Sequence, residues 1–380
     1  MVKKVTHKQL RTLIKAYYKQ AMADGRKIPI TVYGTFGVGK SAVIRDTALE
    51  IAEKKGKKFV EWNRITREEK DKLYKNPKES FILIDIRLSE FDSSDVKGLP
   101  DFKKDSESIE WKIPFWAKIL ENPESDGILF FDEINLATPL VISSVYKIIY
   151  DRIINESKIN DNWLIIGAGN KDEDRAYTHD LASPVRDRTG EVELVQPSID
   201  DWTEWAIDNG IDSRIIGFLN WKHVNLHKVD FEDGQKFTTE RGWARVHTLI
   251  KGVTEFATLD LITGTAIGEG IAKEFVAFCK IKDTVSLEEI MRNPEAMKKI
   301  TETDIKYFIT TALADQYKEN KLDFKILIQI SEVLDAMKNA EFVALLWRLC
   351  VKYDKNKFGK DFLTKGLNSP IISKYRKYLQ

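Results

Sequence analysis

The sequence predicts an α/β protein: a parallel β-sheet sandwiched by helices, followed by an all-helical region. Two observations indicate this class. Between residues 28 and 197, short apolar runs alternate with helical stretches, which is the pattern of βα units in a parallel sheet. Beyond Pro197, helical periodicities continue with little strand signal. We therefore place a domain boundary near residues 196–198.

The predicted elements follow in chain order. Apolar residues at helical spacing predict an amphipathic helix over residues 7–23, ahead of the first strand. The predicted strands are 28–33, a short run at 57–63, and the buried runs 81–88, 127–133, 163–170 and 191–197. Helices are predicted over 41–56, 64–78 and 139–154. Residues 89–114 contain glycine, proline and many charges, which predicts an irregular insertion.

Three domains are predicted from this pattern: an α/β domain over 1–197, a helical domain over 198–300 and a C-terminal helical extension over 301–380. A chain of 380 residues suits two or three compact units, since single cores rarely grow past about 250–300 residues. The extension has apolar helical faces, and nothing in it points to chemistry.

Composition narrows the function classes. The net charge is only +1, so no general basic field argues for nucleic acid. Cys279 and Cys350 lie in apolar helical contexts, as expected for buried thiols in a reducing compartment. The N-terminus lacks the apolar segment of a signal peptide, and no apolar run approaches the roughly 18 residues of a membrane span. We therefore expect a cytoplasmic protein without membrane insertion.

The stretch GTFGVGKS follows the first predicted strand and opens the next helix. It matches G-x-x-x-x-G-K-[ST], in which backbone N–H groups and a helix N-terminus surround phosphate oxygens. Lys40 would reach the β- and γ-phosphates of ATP, and Ser41 would be a ligand of Mg²⁺. The candidate nucleotide-binding residues are Gly34, Thr35, Phe36, Gly37, Val38, Gly39, Lys40, Ser41 and Ala42.

Two further predicted strands end in polar side chains. ILFFDEIN carries Asp132 and Glu133 at the carboxyl edge of the sheet, where ligands bind in α/β folds. Asp132 would order Mg²⁺ and its waters, and Glu133 would accept a proton from the attacking water. IIGAGN ends in Asn170, whose amide would orient that water. Taken singly, each of these residues also fits an ordinary strand end or turn.

In this order, GTFGVGKS, DIRLSEFDSSDVKGLP, GILFFDEINLATP, GAGN and PVRDRTG resemble a MoxR-type AAA+ ATPase. The resemblance covers about residues 25–275 and lies in the ordered set rather than in one motif. It implies an AAA+ phosphate-loop fold with a helical lid over 198–300. It also implies ATP hydrolysis at the interfaces between subunits, with ATP and Mg²⁺ as cofactors.

The resemblance assigns two arginines. Arg188 in PVRDRT matches the arginine finger offered to the ATP of a neighbouring subunit, with Arg186 as the alternative because the usual aromatic residue does not follow. Arg241 in TTERGWARV matches the lid sensor that would contact the γ-phosphate. Arg245 is the alternative there, because Glu240 replaces the usual proline.

The same resemblance implies a homo-oligomeric ring, expected to be a hexamer, that remodels or matures a protein client. A partner protein with a von Willebrand factor A domain is common in this branch. Insertions in the region of 89–114 face the ring axis there, so Lys97, Leu99 and Trp111 are candidates for gripping a polypeptide. An ordinary solvated loop is the plain alternative.

Two other functions stay open. One is a nucleic-acid motor or loader, against which the near-neutral charge and the lack of a helix-turn-helix pattern argue. The other is an ATP-binding scaffold with little turnover, against which the intact Lys40, Asp132 and Glu133 argue. His223 and His227 have the spacing of zinc ligands on a helix, but no third ligand is obvious, so we expect an ordinary pair.

Overall fold

The structure, a computed structural model, describes residues 2–20, 27–102, 109–171, 189–229, 238–365 and 369–375. The chain divides into two compact units, Met1–Gln196 and Pro197–Gln380. The first unit contains all the strands of the described residues, together with helices, and the second is helical.

The strands are β1 (Lys3–Val5), β2 (Ile30–Tyr33), β3 (Lys58–Glu61), β4 (Ser80–Arg87), β5 (Leu99–Asp101), β6 (Glu110–Lys112), β7 (Gly127–Asp132), β8 (Ile153–Ile154), β9 (Ser157–Lys158), β10 (Trp163–Gly169) and β11 (Gly190–Leu194). The helices of the first unit are α1 (His7–Lys19), α2 (Lys40–Lys54), α3 (Arg67–Lys75), α4 (Ser93–Lys97) and α5 (Pro139–Asp151). Part of the helix predicted over 7–23 lies beyond the described residues, since residues 21–26 are outside them.

Seven strands form one sheet in the order β1-β11-β2-β10-β7-β4-β3. Every pairing in it is parallel. The carboxyl ends of parallel strands meet at one edge, where α/β folds bind ligands. The order places β10 between β2 and β7, so the chain segments that follow these three strands are neighbours.

Each face of the sheet has its own hydrophobic core, because successive side chains of a strand point to opposite faces. On β7, Ile128 and Phe130 belong to the cluster that contains α1 and α2. Leu129 and Phe131, in between, belong to the cluster that contains α5. Helices therefore cover both faces, which is why the strands read as continuous apolar runs.

The region predicted to be an irregular insertion is partly regular. It contains the short helix α4, and β5 and β6 pair as an antiparallel hairpin. Gly98 joins the helix to the hairpin at a φ of 86°, in the left-handed region that favours glycine. A Cβ there would lie 2.0 Å from the carbonyl oxygen of Lys112. The prediction was wrong on this point because short exposed strands carry no apolar alternation.

The helix predicted over 139–154 ends earlier than expected. Arg152 adopts a φ of 55° and caps α5 at Asp151. The residues that follow form the small antiparallel hairpin of β8 and β9 instead. This hairpin leads directly into β10.

The helices of the second unit are α6 (Ile199–Asp208), α7 (Ser213–Trp221), α8 (Glu240–Leu249), α9 (Phe256–Ile267), α10 (Glu269–Cys279), α11 (Leu287–Arg292), α12 (Thr303–Lys318), α13 (Phe324–Ala336), α14 (Ala340–Tyr353), α15 (Lys355–Lys365) and α16 (Pro370–Tyr375). One hydrophobic cluster joins residues before position 300, such as Trp243, to residues after it, such as Trp347. The division of this half into a lid and an extension stays a prediction. Among the helices of the described residues, none has the length and apolarity needed to span a membrane.

Candidate functional site

The glycine-rich loop, residues 34–39, connects β2 to α2 at the carboxyl edge of the sheet. Gly37 and Gly39 have φ values of 78° and 95°, which glycine adopts without steric cost. A Cβ on Gly34 would lie 2.9 Å from the carbonyl oxygen of Leu194, closer than a side chain permits. The loop is thus compact, and its last glycine is the N-cap of α2.

Lys40, the first residue of α2, is only 8% exposed. Its ammonium group donates to the carbonyl oxygen of Gly34 at 2.5 Å and to Oδ1 of Asn170 at 3.0 Å. A longer contact of 3.3 Å reaches the carbonyl of Thr35. The charge therefore lies at the loop itself, beside the side-chain amide of Asn170.

Ser41, in the first turn of α2, is in direct contact with Asp132, the last residue of β7. The Ser41 hydroxyl donates to Oδ2 of Asp132 at 2.7 Å. Hydroxyl and carboxylate oxygens are hard ligands of the kind that Mg²⁺ prefers. The pair therefore fits a Mg²⁺ site next to the glycine-rich loop.

Glu133 has an uncommon backbone for a non-glycine residue, with a φ of 56°. Its backbone N–H donates to Oδ1 of Asp132 at 2.9 Å. Its carboxylate accepts a hydrogen bond from the hydroxyl of Ser89 and lies 3.8 Å from Nε of Arg87. Both partners follow or end β4, the neighbouring strand, and neither was singled out from the sequence.

Asn135 fixes the position of Asn170. Its side-chain amide donates to the carbonyl oxygen of Asn170 at 2.8 Å, and its Oδ1 accepts from the Asn170 N–H at 3.0 Å. Asn135 is 3% exposed, and a Cβ on Gly169 would lie 2.9 Å from its Oδ1. Glycine at 169 therefore makes room for this lock. Sequence reasoning missed Asn135, although it stands in the quoted motif DEIN.

Asp85 is a second carboxyl group on the face of the sheet that carries Asp132. Arg87, two residues later on β4, is the register partner of Asp132, and residues two apart in a strand share a face. Burial raises the pKa of Asp85 to about 6, and the charge of Asp132 acts in the same direction. The signal in the sequence was an acidic residue inside the apolar run FILIDI.

The other residues of the predicted loop take different positions. Val38 is buried at 1% exposure beneath the loop, and Thr35 and Phe36 are half-buried in its turn. Ala42 is exposed on the first turn of α2. These positions leave the nucleotide-binding roles as predictions.

The four arginines considered from the sequence lie outside the described residues or in the second unit. Arg186 and Arg188 lie outside them. Arg241 and Arg245 are exposed and one turn apart on α8, in the second unit. Glu240, before Arg241, is buried, and its carboxylate lies 2.8 Å from Nδ1 of His227.

The pair that His227 and Glu240 form gives the histidine a local partner other than a metal. Within the described part of the chain, no group of three or more His, Cys, Asp or Glu residues is arranged to hold a metal ion.

No protein-family model matches the sequence, and no curated protein matches it. Among solved structures, the chain is similar to PCH-2 of C. elegans, with 14% identity, 73% of this chain and 68% of that chain covered, and a TM-score of 0.32. It is similar to the K64R mutant of RuvB from Thermotoga maritima, with 12% identity, 96% and 90% covered, and a TM-score of 0.29. It is also similar to the ORC2 protein of Aeropyrum pernix in its ADPNP and ADP complexes, with 10% identity, 91% and 85% covered, and a TM-score of 0.37.

These likenesses are distant, with identities of 14% or less. The fold class is therefore taken from the arrangement of the strands and helices of this chain. The seven-stranded parallel sheet between helices, followed by a helical unit, confirms the predicted α/β fold class of a parallel sheet sandwiched by helices and followed by a helical region.

Proposed function

We propose that the protein is a Mg²⁺-dependent ATPase of the AAA+ class. The observation that carries this proposal is the meeting of Lys40 and Ser41 with Asp132 and Asn170 at the ends of three adjacent strands. An ammonium group, a glycine-rich turn, a hydroxyl and a carboxylate are the groups that bind a nucleoside triphosphate with its metal.

Each residue has a chemical role in this proposal. Loop N–H groups and the N-terminus of α2 bind the phosphates, and Lys40 neutralises the β- and γ-phosphates. Ser41 and Asp132 hold Mg²⁺, which supplies charge stabilisation when bound. Glu133 accepts a proton as the water oxygen bonds to the γ-phosphorus and the bridging P–O bond breaks, giving ADP and phosphate. Asn170 orients that water.

The proposal extends to assembly. By resemblance to MoxR-type ATPases, the protein works as a homo-oligomeric ring, a hexamer, in which Arg188 or Arg186 of one subunit completes the site of the next. Arg241, or Arg245, reports the γ-phosphate from the lid.

A protein client is the proposed substrate of the mechanical work, and a von Willebrand factor A domain protein is the proposed partner. The hairpin of β5 and β6 supports this, because Leu99 and Trp111 are 63% and 40% exposed on it. The register of the hairpin places Leu99 and Trp111 on opposite faces, so a large apolar side chain is exposed on each face.

Phosphate release and calorimetric binding of Mg-ATP test the ATPase proposal on four proteins. Wild type should bind and hydrolyse. Lys40→Ala should lose binding by at least about 100-fold, and Glu133→Gln should bind but turn over about 100-fold more slowly, the size expected for a general base. Lys54→Ala, an exposed lysine on the same helix, is the control that should match wild type.

Two results would overturn the proposal: no uptake of Mg-ATP by the folded chain, or uptake unaffected by Lys40→Ala. Equal phosphate release by wild type and Glu133→Gln would instead indicate a binding scaffold. Hydrolysis stimulated by DNA in a salt-dependent manner would indicate a nucleic-acid motor. Proteins retained by Glu133→Gln with ATP, and released by ADP, would identify the client.

A further inference from the structure

The first residue of α1 contacts the glycine-rich loop from outside. Nε2 of His7 lies 2.7 Å from the carbonyl oxygen of Val38. A carbonyl oxygen only accepts hydrogen bonds, so Nε2 carries the hydrogen and donates it. The other ring nitrogen, Nδ1, is buried and has no hydrogen-bond partner within the part of the chain that the structure describes.

The orientation of the Val38 carbonyl matters for the conformation of the loop. When a loop turns its N–H groups towards a phosphate, carbonyl groups have to face away, and a buried one needs a donor. Helix α2 does not supply that donor, because its first bond runs from Val43 N–H to the carbonyl of Gly39 at 2.9 Å. His7 supplies it instead.

The His7 ring also lies against the N-cap of α2. A Cβ built on Gly39 would be 3.5 Å from Nε2 of His7. The ring therefore contacts the loop at two consecutive residues, Val38 and Gly39, immediately before Lys40. Movement of the ring would therefore shift the backbone at the junction between the loop and α2.

His7 is itself held from both sides. Thr6 caps α1 in a capping box with Gln9, through bonds of 3.3 and 2.9 Å. Before it, β1 pairs with β11 at the end of the sheet. Beyond it, Arg11 bonds Asp46 at 3.0 Å and Glu50 at 2.6 Å, both on α2. The backbone at His7 is thus held on both sides, which places the imidazole beside the loop.

We propose that His7 is a positioning residue of the phosphate loop: its imidazole holds the Val38 carbonyl outward and so fixes the N–H groups that face the triphosphate. The residue acts through the loop and does not touch the reacting atoms. This inference rests on the proposed nucleotide-binding function. It makes β1 and α1, which precede the loop in sequence, part of the binding site.

The test compares His7→Ala and His7→Gln with wild type in the full chain, with His223→Ala as an exposed histidine control in the second unit. The measurements are the Kd of a fluorescent ADP analogue and KM and kcat for Mg-ATP. His7→Ala should raise Kd and KM about tenfold, or about 1.4 kcal/mol, and leave kcat within about threefold. Glutamine keeps an N–H donor, so His7→Gln should recover most of the loss.

Hydrogen exchange of residues 34–40 in the nucleotide-free protein gives an independent readout. Exchange should be faster in His7→Ala than in wild type and His7→Gln. Nucleotide affinity and loop exchange in His7→Ala equal to wild type would overturn the inference, as would a His7→Gln variant no better than His7→Ala. If wild type binds nucleotide and Lys40→Ala does not, such a result removes the role of His7 alone. If wild type binds none, the proposed function fails as well.

Discussion

Asn135 shows how a side chain outside the chemistry places one inside it. Its amide bonds both the N–H and the C=O of Asn170. The Asn170 side chain is thereby directed to Lys40, with which it shares a 3.0 Å hydrogen bond. The motif DEIN thus contributes a candidate metal-site carboxylate, a candidate base and an internal support within four residues.

Replacing Asn135 by alanine should weaken both stability and turnover. It leaves two backbone groups of the half-buried Asn170 without their partner, which costs up to about 1–3 kcal/mol of unfolding free energy. It should lower kcat about tenfold, because Asn170 loses its placement. Urea unfolding and phosphate release measure the two effects. Asn76→Ala, at an exposed asparagine, is the control, and unchanged kcat in Asn135→Ala would contradict the support role.

The proximity of several candidate site residues could be predicted because parallel strands end at a common edge. Lys40, Asp132 and Asn170 each follow an apolar run, so the rule brings them together. The contacts of Ser89 with Glu133 and of His7 with Val38 were not predicted. They join polar groups, one of them a backbone carbonyl, between segments whose relative direction no periodicity predicts.

Elements show the same division. The buried strands of the sheet were predicted, since apolar runs such as 81–88 and 163–170 are long and continuous. The strands β1, β5 and β6 were not, since each has three residues and β6 is exposed throughout. Backbone pairing alone forms these short strands, and it leaves no mark on residue type.

Gly98 and Gly56 form a matched pair for testing the hairpin of β5 and β6. Both have positive φ, 86° and 65°, so alanine introduces backbone strain at either, and the ψ of −167° at Gly98 lies in a region that is essentially restricted to glycine. Only at Gly98 does the new Cβ also meet backbone, 2.0 Å from the oxygen of Lys112, whereas Gly56 has nothing within 4 Å.

Hydrogen exchange over residues 96–113 should therefore accelerate in Gly98→Ala and stay at the wild-type rate in Gly56→Ala. Equal exchange of this segment in the two variants would mean that the close contact at Gly98 does not hold the hairpin.

The whole molecule consists of two units with different content. Every described residue of the candidate phosphate and metal site lies in the first unit, and the candidate lid arginines lie in the second. The core of the second unit crosses position 300, so described residues between 301 and 375 pack with the helices proposed to be the lid. The sequence predicted the helical class of this half, but its apolar faces carry no information on a client.

The proposed ring assembly predicts a defined particle mass. It also predicts that two variants, each inactive alone, restore activity when they are mixed. With Mg-ATP, Glu133→Gln should assemble to about six times the 43.8 kDa chain mass, measured by mass photometry. Arg188→Ala should lose about 1,000-fold in turnover, the scale of an arginine finger.

A mixture of Arg188→Ala and Lys40→Ala should recover activity, because a site with Lys40 from one chain can receive Arg188 from the next. A mixture as inactive as its components would argue against a shared site, and the same mixture made with Arg186→Ala tests the alternative finger.

The engagement of Lys40 with Gly34 and Asn170 has a thermodynamic consequence for any anion that enters the loop. Two neutral acceptors already lie at hydrogen-bond distance from the ammonium group. Binding of an anion therefore replaces the hydrogen bonds of Lys40 to a carbonyl and an amide by hydrogen bonds to charged oxygens. The measured affinity reports only the free-energy difference between these two sets of hydrogen bonds. In return, these hydrogen bonds already order the loop, so the binding of the anion does not have to order it.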